Sequence, residues 1–244
     1  MNIAVTAREI IRHVLFITNV YSALNLLRRW RGQSMAHLHA EKISDRFDAI
    51  YNSGVWQHGD EQTPLSGHGS TVSGTRALRS RLPVLLNKLG GKTLIDIGCG
   101  DFSWMQHVRI DQAYVGIDVV ASVIATNKKE YASPSRTFLV ADAIEDPLPD
   151  GDIVICRELL FHLSFEHIRK LLGNVLSKPR SYLMLTTDRA TSFNSNIPTG
   201  DYRLLNLEAW PFNFPPPIHE IDDASGYLQR TTAVWSAEQL RDKV

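Results

Sequence analysis

The sequence predicts an α/β protein on a doubly wound, mostly parallel sheet. Three observations carry the prediction. From Lys92 onward, short apolar runs alternate with helical patterns. Three of those runs in succession finish in an acid, Asp96, Asp118 and Asp142. The composition, 244 residues with 43% hydrophobic and 21% charged, is that of a globular chain with a sizeable core. At about 150 residues per domain this allows one enlarged domain or one domain with an appendage.

Lys plus Arg equals Asp plus Glu at 26 each, so no global attraction to a phosphate backbone arises and no nucleic-acid partner is expected. Two cysteines, Cys99 and Cys156, are too few to staple the chain, which points to reduced thiols and a cytoplasmic setting. The apolar stretch 14–27 is interrupted by Asn19 and Asn25. It is too short to span a bilayer and lacks a signal-type cleavage site, so stable membrane insertion is not expected.

Taken in order, Ile10, Val14, Ile17, Tyr21 and Leu24 recur at helical spacing, with Arg28, Arg29 and Arg31 following. The plain reading is a helix packed on the main domain through this face. Its rivals are a helix on an anionic membrane surface or one pairing with another subunit into an oligomer. The stretch 54–69 is dense in turn formers and reads as an ordered loop, so residues 1–69 form a helical cap and entry loop. Ser70 or Thr71 is expected to cap a helix running to about Leu89, apolar at Leu78, Leu82, Leu85 and Leu86 and stopped by Gly90-Gly91. Strands are predicted at 93–97, 114–117, 137–141, 152–156 and 181–186, and helices at 102–107, 121–131 and 164–176. Beyond Thr187 come a polar loop, a proline-rich stretch, a strand at 231–236 and a short helical tail. They are read as an antiparallel pair on the sheet edge, making seven strands, and a lid over about 188–230 of a domain spanning 70–244.

Ligands of such sheets sit beyond the carboxyl ends of the strands. There the sequence places Asp96-Ile-Gly-Cys-Gly-Asp-Phe-Ser-Trp104, with Gly98 and Gly100 able to turn sharply beside a ligand. This half matches a dinucleotide fingerprint, with Ser103 at the third small position. Asp118, 22 positions after Asp96, stands where a carboxylate accepts ribose hydroxyls. With Asp142 the rim carries three carboxylates, which are costly to crowd unless a ligand brings donors or positive charge. They would repel a pyrophosphate. An ammonium, a sulfonium, a ribose and an adenine amine would match, and S-adenosyl-L-methionine carries all four.

On Asp96, Gly98, Gly100, Asp118 and Asp142, the chain resembles the class I S-adenosylmethionine-dependent methyltransferases over about residues 66–187. The family's third glycine is replaced by Phe102, which leaves the loop less permissive. The resemblance implies a Rossmann-like fold, with Asp96, Gly98 and Gly100 at the methionyl end and Asp118 at the ribose. It places Asp142 and Ala143 at the adenine, Arg157 near the methionyl group, and Ser66-Gly-His-Gly-Ser70 over the cofactor's carboxylate.

Two residues are candidate bases: His162, in the segment after the fourth strand, and Asp188, ending the fifth. Because the methyl is already activated, positioning can supply most of the acceleration. The expected activity is methyl transfer to a small-molecule or sugar-containing acceptor, with oxygen favoured by His162. Amides and aromatics between Asn194 and Phe212 suit a glycan-type acceptor. No metal is expected, since His37 and His39 lack an acid or cysteine at a ligand offset. Two rival functions are an NAD-dependent oxidoreductase, opposed by the acids at 96 and 142, and a non-catalytic adapter acting through the 10–27 helix, opposed by the intact rim.

Overall fold

The computed structural model describes residues 2–18, 20–30, 35–57, 60, 62–223 and 229–244. Arg31, residues 58, 59 and 61 of the turn-rich loop and residues 224–228 of the expected lid lie outside the described residues. Seven strands form one sheet: β1 (Thr93–Ile97), β2 (Ala113–Asp118), β3 (Arg136–Val140), β4 (Ile153–Cys156), β5 (Tyr182–Asp188), β6 (His219–Asp222) and β7 (Arg230–Ser236). Their order is β3-β2-β1-β4-β5-β7-β6. The first five are parallel, while β7 runs antiparallel between β5 and β6. The chain leaves β1 toward β2 on one side and returns to β4 on the other, which opens a crevice beyond the carboxyl ends of β1 and β4.

Residues two apart on β1 share a face, and both faces are covered. Leu94 joins Leu78, Leu82 and Leu86 of α4 (Arg76–Leu89) in one apolar cluster. Ile95 and Ile97 join Ile168, Leu172 and Val175 of α6 (Phe165–Leu176) in the other. This two-sided burial is why the parallel strands read as continuous apolar runs. Helix α5 (Ala121–Tyr131) follows β2, and α7 (Ala237–Arg241) follows β7, where a reciprocal Ser236–Gln239 capping box starts it.

Three expectations change. Helix α4 starts at Arg76, not at Ser70 or Thr71, because the Thr71 hydroxyl accepts from Gly74 N at 3.2 Å and holds a turn there. The helix expected over 102–107 reduces to a single 3₁₀ turn, Met105–His107, since Phe102 sits at φ 58° and cannot begin a right-handed helix. The N-terminal helix divides into α1 (Ile3–Ile17) and α2 (Tyr21–Trp30), and its apolar stripe points outward: Ile10, Val14 and Ile17 are exposed. The polar side of α1 faces the body instead. Fully buried Glu9 accepts from the Ser195 hydroxyl, Arg12 Nη1 donates to the Tyr202 carbonyl at 3.1 Å, and His13 Nδ1 accepts from Asn196 N at 3.2 Å. Helix α1 therefore lies along residues 190–203, whose buried Asn194 and Ser195 demand polar neighbours. Tyr21 and Leu24, on α2, turn inward, with the Tyr21 hydroxyl donating to the Asp201 carboxylate. A further helix, α3 (Ile43–Ser53), buries Phe47, Ile50 and Tyr51 against the larger cluster.

Candidate active site

The crevice is an open cleft; the space it frames, bulk solvent at its mouth included, is about 930 Å³. Strand ends supply its floor: Asp96 and Gly98 at the end of β1, Asp118 and Val119 at the end of β2, Asp142, Ala143 and Ile144 beyond β3, and Arg157, Glu158, Leu159 and His162 beyond β4. Phe47, Tyr51 and Trp56 close one side, with Ser66 and Ser70. Of the residues singled out from sequence, Asp96, Gly98, Asp118, Asp142, Ala143, Arg157 and His162 come together on this cleft.

Gly100 and Asp188 stand apart from it. Gly100 sits one layer behind the lining, where its N–H donates to Asp118 Oδ2 at 3.0 Å. It thereby fixes the orientation of the carboxylate that does line the cleft. Asp188 is 1% exposed, 3.5 Å from Arg230 Nε, and its Oδ1 accepts from Ala190 N at 2.9 Å. In this arrangement Asp188 pairs with a cation and caps a turn.

The acids differ in environment. Burial raises Asp96 to about 7, against the opposing pull of the hydrogen bond that the Tyr114 hydroxyl donates at 2.8 Å. Burial likewise raises Asp118 to about 6, while backbone N–H groups of Val120 and Gly100 pull it down. Two desolvated carboxylates facing one cleft are poised to gain from a ligand that brings positive charge or hydroxyl donors. Asp142 is only half-buried, and its Oδ1 accepts from Ile144 N at 2.9 Å.

Arg157 is committed to a bidentate pair with Asp223, Nε to Oδ2 at 2.9 Å and Nη2 to Oδ1 at 2.8 Å, and its guanidinium stacks over Trp104. That leaves Nη1 with no hydrogen bond among the described residues. His162 Nδ1 lies 2.9 Å from the Asp201 carbonyl, which can only accept, so Nδ1 carries the proton and Nε2 keeps its lone pair. Burial lowers this imidazole to about 4, so it is neutral at physiological pH. Its ring packs against Trp56 and Tyr202, with centroids 4.9 and 5.5 Å away.

Sequence reasoning missed Glu158. At φ 61° it aims its carboxylate at Arg230 Nη1, 2.7 Å away, and Arg230 in turn donates to the Tyr202 hydroxyl at 2.8 Å. The Arg157 and Arg230 guanidiniums hold Glu158 below the usual carboxylate range despite burial. Its position directly after Arg157 was the available signal. Trp56, Tyr51 and Phe47 were also missed, because they come from the cap, far upstream of the strands they face. The Ser66-Gly-His-Gly stretch does reach the glycine loop: Ser66 Oγ donates to Asp101 Oδ1 and accepts from Asp101 N, both at 3.0 Å. Tyr51 Oη lies 3.1 Å from the same Ser66 Oγ.

Residues 95–178 match the family model described as a methyltransferase domain, and they lie on a Rossmann-like sheet. Magnesium protoporphyrin IX methyltransferase from Synechocystis, solved with bound S-adenosylmethionine, superimposes with a TM-score of 0.55 at 17% identity, over 81% of this chain and 98% of that one. Human N-acetylserotonin methyltransferase aligns at 13% identity and a TM-score of 0.38, over 60% of this chain and 39% of its own. Phosphoethanolamine N-methyltransferase 1 from Haemonchus contortus aligns at 19% and 0.47, over 69% of this chain and 37% of its own. This chain thus spans well under half the length of the last two. No curated protein matches the sequence.

Proposed function

From the methyltransferase domain that the chain carries, we propose that the protein transfers a methyl group from S-adenosyl-L-methionine to a small-molecule or sugar-containing acceptor, at oxygen. One observation carries the reading: Asp96, Asp118 and Asp142, at or just beyond the carboxyl ends of three consecutive parallel strands, all line one cleft. The donor set suits this cofactor. Asp118 retains acceptor capacity for ribose hydroxyls beyond the backbone N–H groups it already holds. Asp142, with Ala143 and Ile144 beside it, offers an acceptor and apolar contact for an adenine. Asp96 offers charge to an ammonium, Arg157 Nη1 a donor to a carboxylate, and Gly98 a bare backbone for close approach. When bound, the cofactor supplies a methyl already activated on a sulfonium.

The protein's own contribution is then orientation, water exclusion and proton acceptance. Phe47, Trp56, Leu159 and Leu163 present apolar surface to the cleft and shield the acceptor from water. His162, neutral and with Nδ1–H pinned on the Asp201 carbonyl, offers Nε2 to a hydroxyl proton. Glu158, ion-paired to Arg230, sits on the same wall and serves as an acceptor for donor groups of a polyhydroxylated substrate. Residues 1–69 act as a cap that completes the cleft, and the whole operates in the cytoplasm. Among the described residues no helix is long and apolar enough to cross a membrane.

The test is a thermal-shift comparison of S-adenosylhomocysteine with NADH. Stabilisation by the first and not the second is expected, by about 2.7 kcal/mol at a hundredfold excess over Kd. Stabilisation by NADH alone would replace this reading with the dinucleotide one.

A further inference from the structure

Helix α1 is amphipathic the wrong way round for a helix that serves only its own domain. Thr6, Glu9, Arg12 and His13 face the body and bond to residues 192–202. Ile3, Ile10, Val14 and Ile17, separated by seven, four and three positions, form one outward stripe. On helix α2, Leu26 and Trp30 are exposed as well, and these six side chains are 44–85% exposed. Scattered exposed apolar residues are ordinary, but a stripe along one helix with further exposed apolar side chains on the next marks a surface that something covers. The α1–α2 pair is itself held to the body by buried polar anchors, Glu9 with Ser195 and Tyr21 and Arg28 with Asp201. It is therefore a fixed platform.

The charges around the stripe decide between occupants. Residues 1–35 contain five arginines and one acid, and that acid, Glu9, is fully buried. Arg12 and Arg28 are spent on internal carboxylates, and Arg8, more than half exposed, shares Glu9 with Arg12 at 3.3 Å. The sequence adds Arg29 and Arg31 beside exposed Trp30. By sequence the segment carries four more positive than negative charges, which a second copy of the same segment would only double. An anionic surface complements it. An exposed apolar helical stripe and an exposed tryptophan, in a segment whose sequence is arginine-rich and whose one acid is buried, make the pattern of a helix lying in a lipid headgroup layer.

We propose that the outward face of α1 and α2 docks the protein onto an anionic membrane surface, without spanning it. The occupant is a bilayer of acidic phospholipid, with the stripe from Ile3 to Ile17 and the Trp30 side chain entering the headgroup boundary.

The experiment is co-sedimentation of the full-length protein with vesicles of phosphatidylcholine alone or with about one-third phosphatidylglycerol. Binding to the mixed vesicles and not to the neutral ones is expected. Ile10→Ser/Val14→Ser/Ile17→Ser should weaken it about tenfold or more, since three apolar side chains leave the interface. Arg29→Gln/Arg31→Gln should weaken it and flatten its salt dependence. Because the three stripe residues lie outside the core, unchanged circular dichroism and melting temperature show that these variants fold. Absence of binding, equal binding to both vesicle types, or full binding by the stripe variant would each overturn the proposal. So would a wild-type dimer in sedimentation equilibrium that the stripe variant abolishes, which would give the face to a second copy.

Discussion

Two glycines of this chain share a left-handed backbone and differ in what surrounds them, which makes a controlled comparison. Gly90, at φ 74°, ends α4, and a Cβ built there meets nothing within 4 Å. Gly90→Ala should therefore cost only the conformational penalty of a side chain in that region, about 1–2 kcal/mol. Gly100, at φ 57°, pays the same penalty, but its Cβ would stand 2.2 Å from Ser66 Oγ and 3.1 Å from Tyr51 Oη. Ser66 Oγ must then move, and its two hydrogen bonds to Asp101 go with it, at about 1 kcal/mol each. Gly100→Ala is thus expected to cost about 3–4 kcal/mol, roughly 2 kcal/mol more than its counterpart. Urea unfolding reads this directly as a lower midpoint with an unchanged slope. By heat, 1 kcal/mol corresponds to about 2–4 °C for a chain of this size. Equal losses in the two variants would refute the packing of the Ser66 stretch on the glycine loop.

Three further outcomes follow. Phe102→Gly, which places a glycine at the position where the methyltransferases this chain resembles have one, should destabilise: relief of the φ 58° backbone returns about 1–2 kcal/mol, but loss of a ring 1% exposed among Tyr114, Tyr131 and Phe138 costs about 3–5. A more stable variant in chemical denaturation would contradict this. His162→Gln should lower kcat by about 10²-fold or more, with the KM of the cofactor little changed, if Nε2 takes the acceptor's proton; unchanged turnover would remove the base role. Affinity for S-adenosylhomocysteine should fall as pH drops through 7 and then 6. Asp96 and Asp118 take up protons over that range, and the ligand's ammonium and hydroxyls require the ionised forms. Each group contributes at most about tenfold per pH unit, and calorimetry giving a flat affinity from pH 5 to 8 would contradict the assignment.

The sheet was legible because parallel strands covered on both faces spell out apolar runs. The rim was legible because its acids end those runs. Helix α5 matches its expected limits, and α6 begins one residue after Ser164, whose hydroxyl caps it. What stayed hidden depends on partners distant in the chain. Arg157 is spoken for by Asp223, 66 positions on, and Asp188 by Arg230. The direction of α1 was misread because its apolar face looked like the natural side to bury. Only the polar demand of residues 190–203, about 190 positions downstream, turns the other face inward. Phe102 is a local conflict settled by tertiary packing: the backbone keeps the glycine's conformation, and the ring stays buried in an aromatic cluster with Arg136 over its face. The cap residues Phe47, Tyr51 and Trp56 gave no sign in the sequence of the cleft they enclose.

The central claim, that the acidic rim holds S-adenosylmethionine, is tested most directly by calorimetric titration of S-adenosylhomocysteine into the wild type and Asp118→Asn. Gly100 N–H donates to Oδ2 and Val120 N–H to Oδ1, so the single amide oxygen of asparagine keeps one of the two bonds where alanine would keep neither, and circular dichroism and the melting temperature of the variant are measured beside the titration. Micromolar binding to the wild type, weakened by about 1.5–3 kcal/mol in the variant as charged hydrogen bonds to the ribose are lost, is the predicted result. Wild-type protein that carries no ligand by mass spectrometry and takes up none in the titration would contradict it.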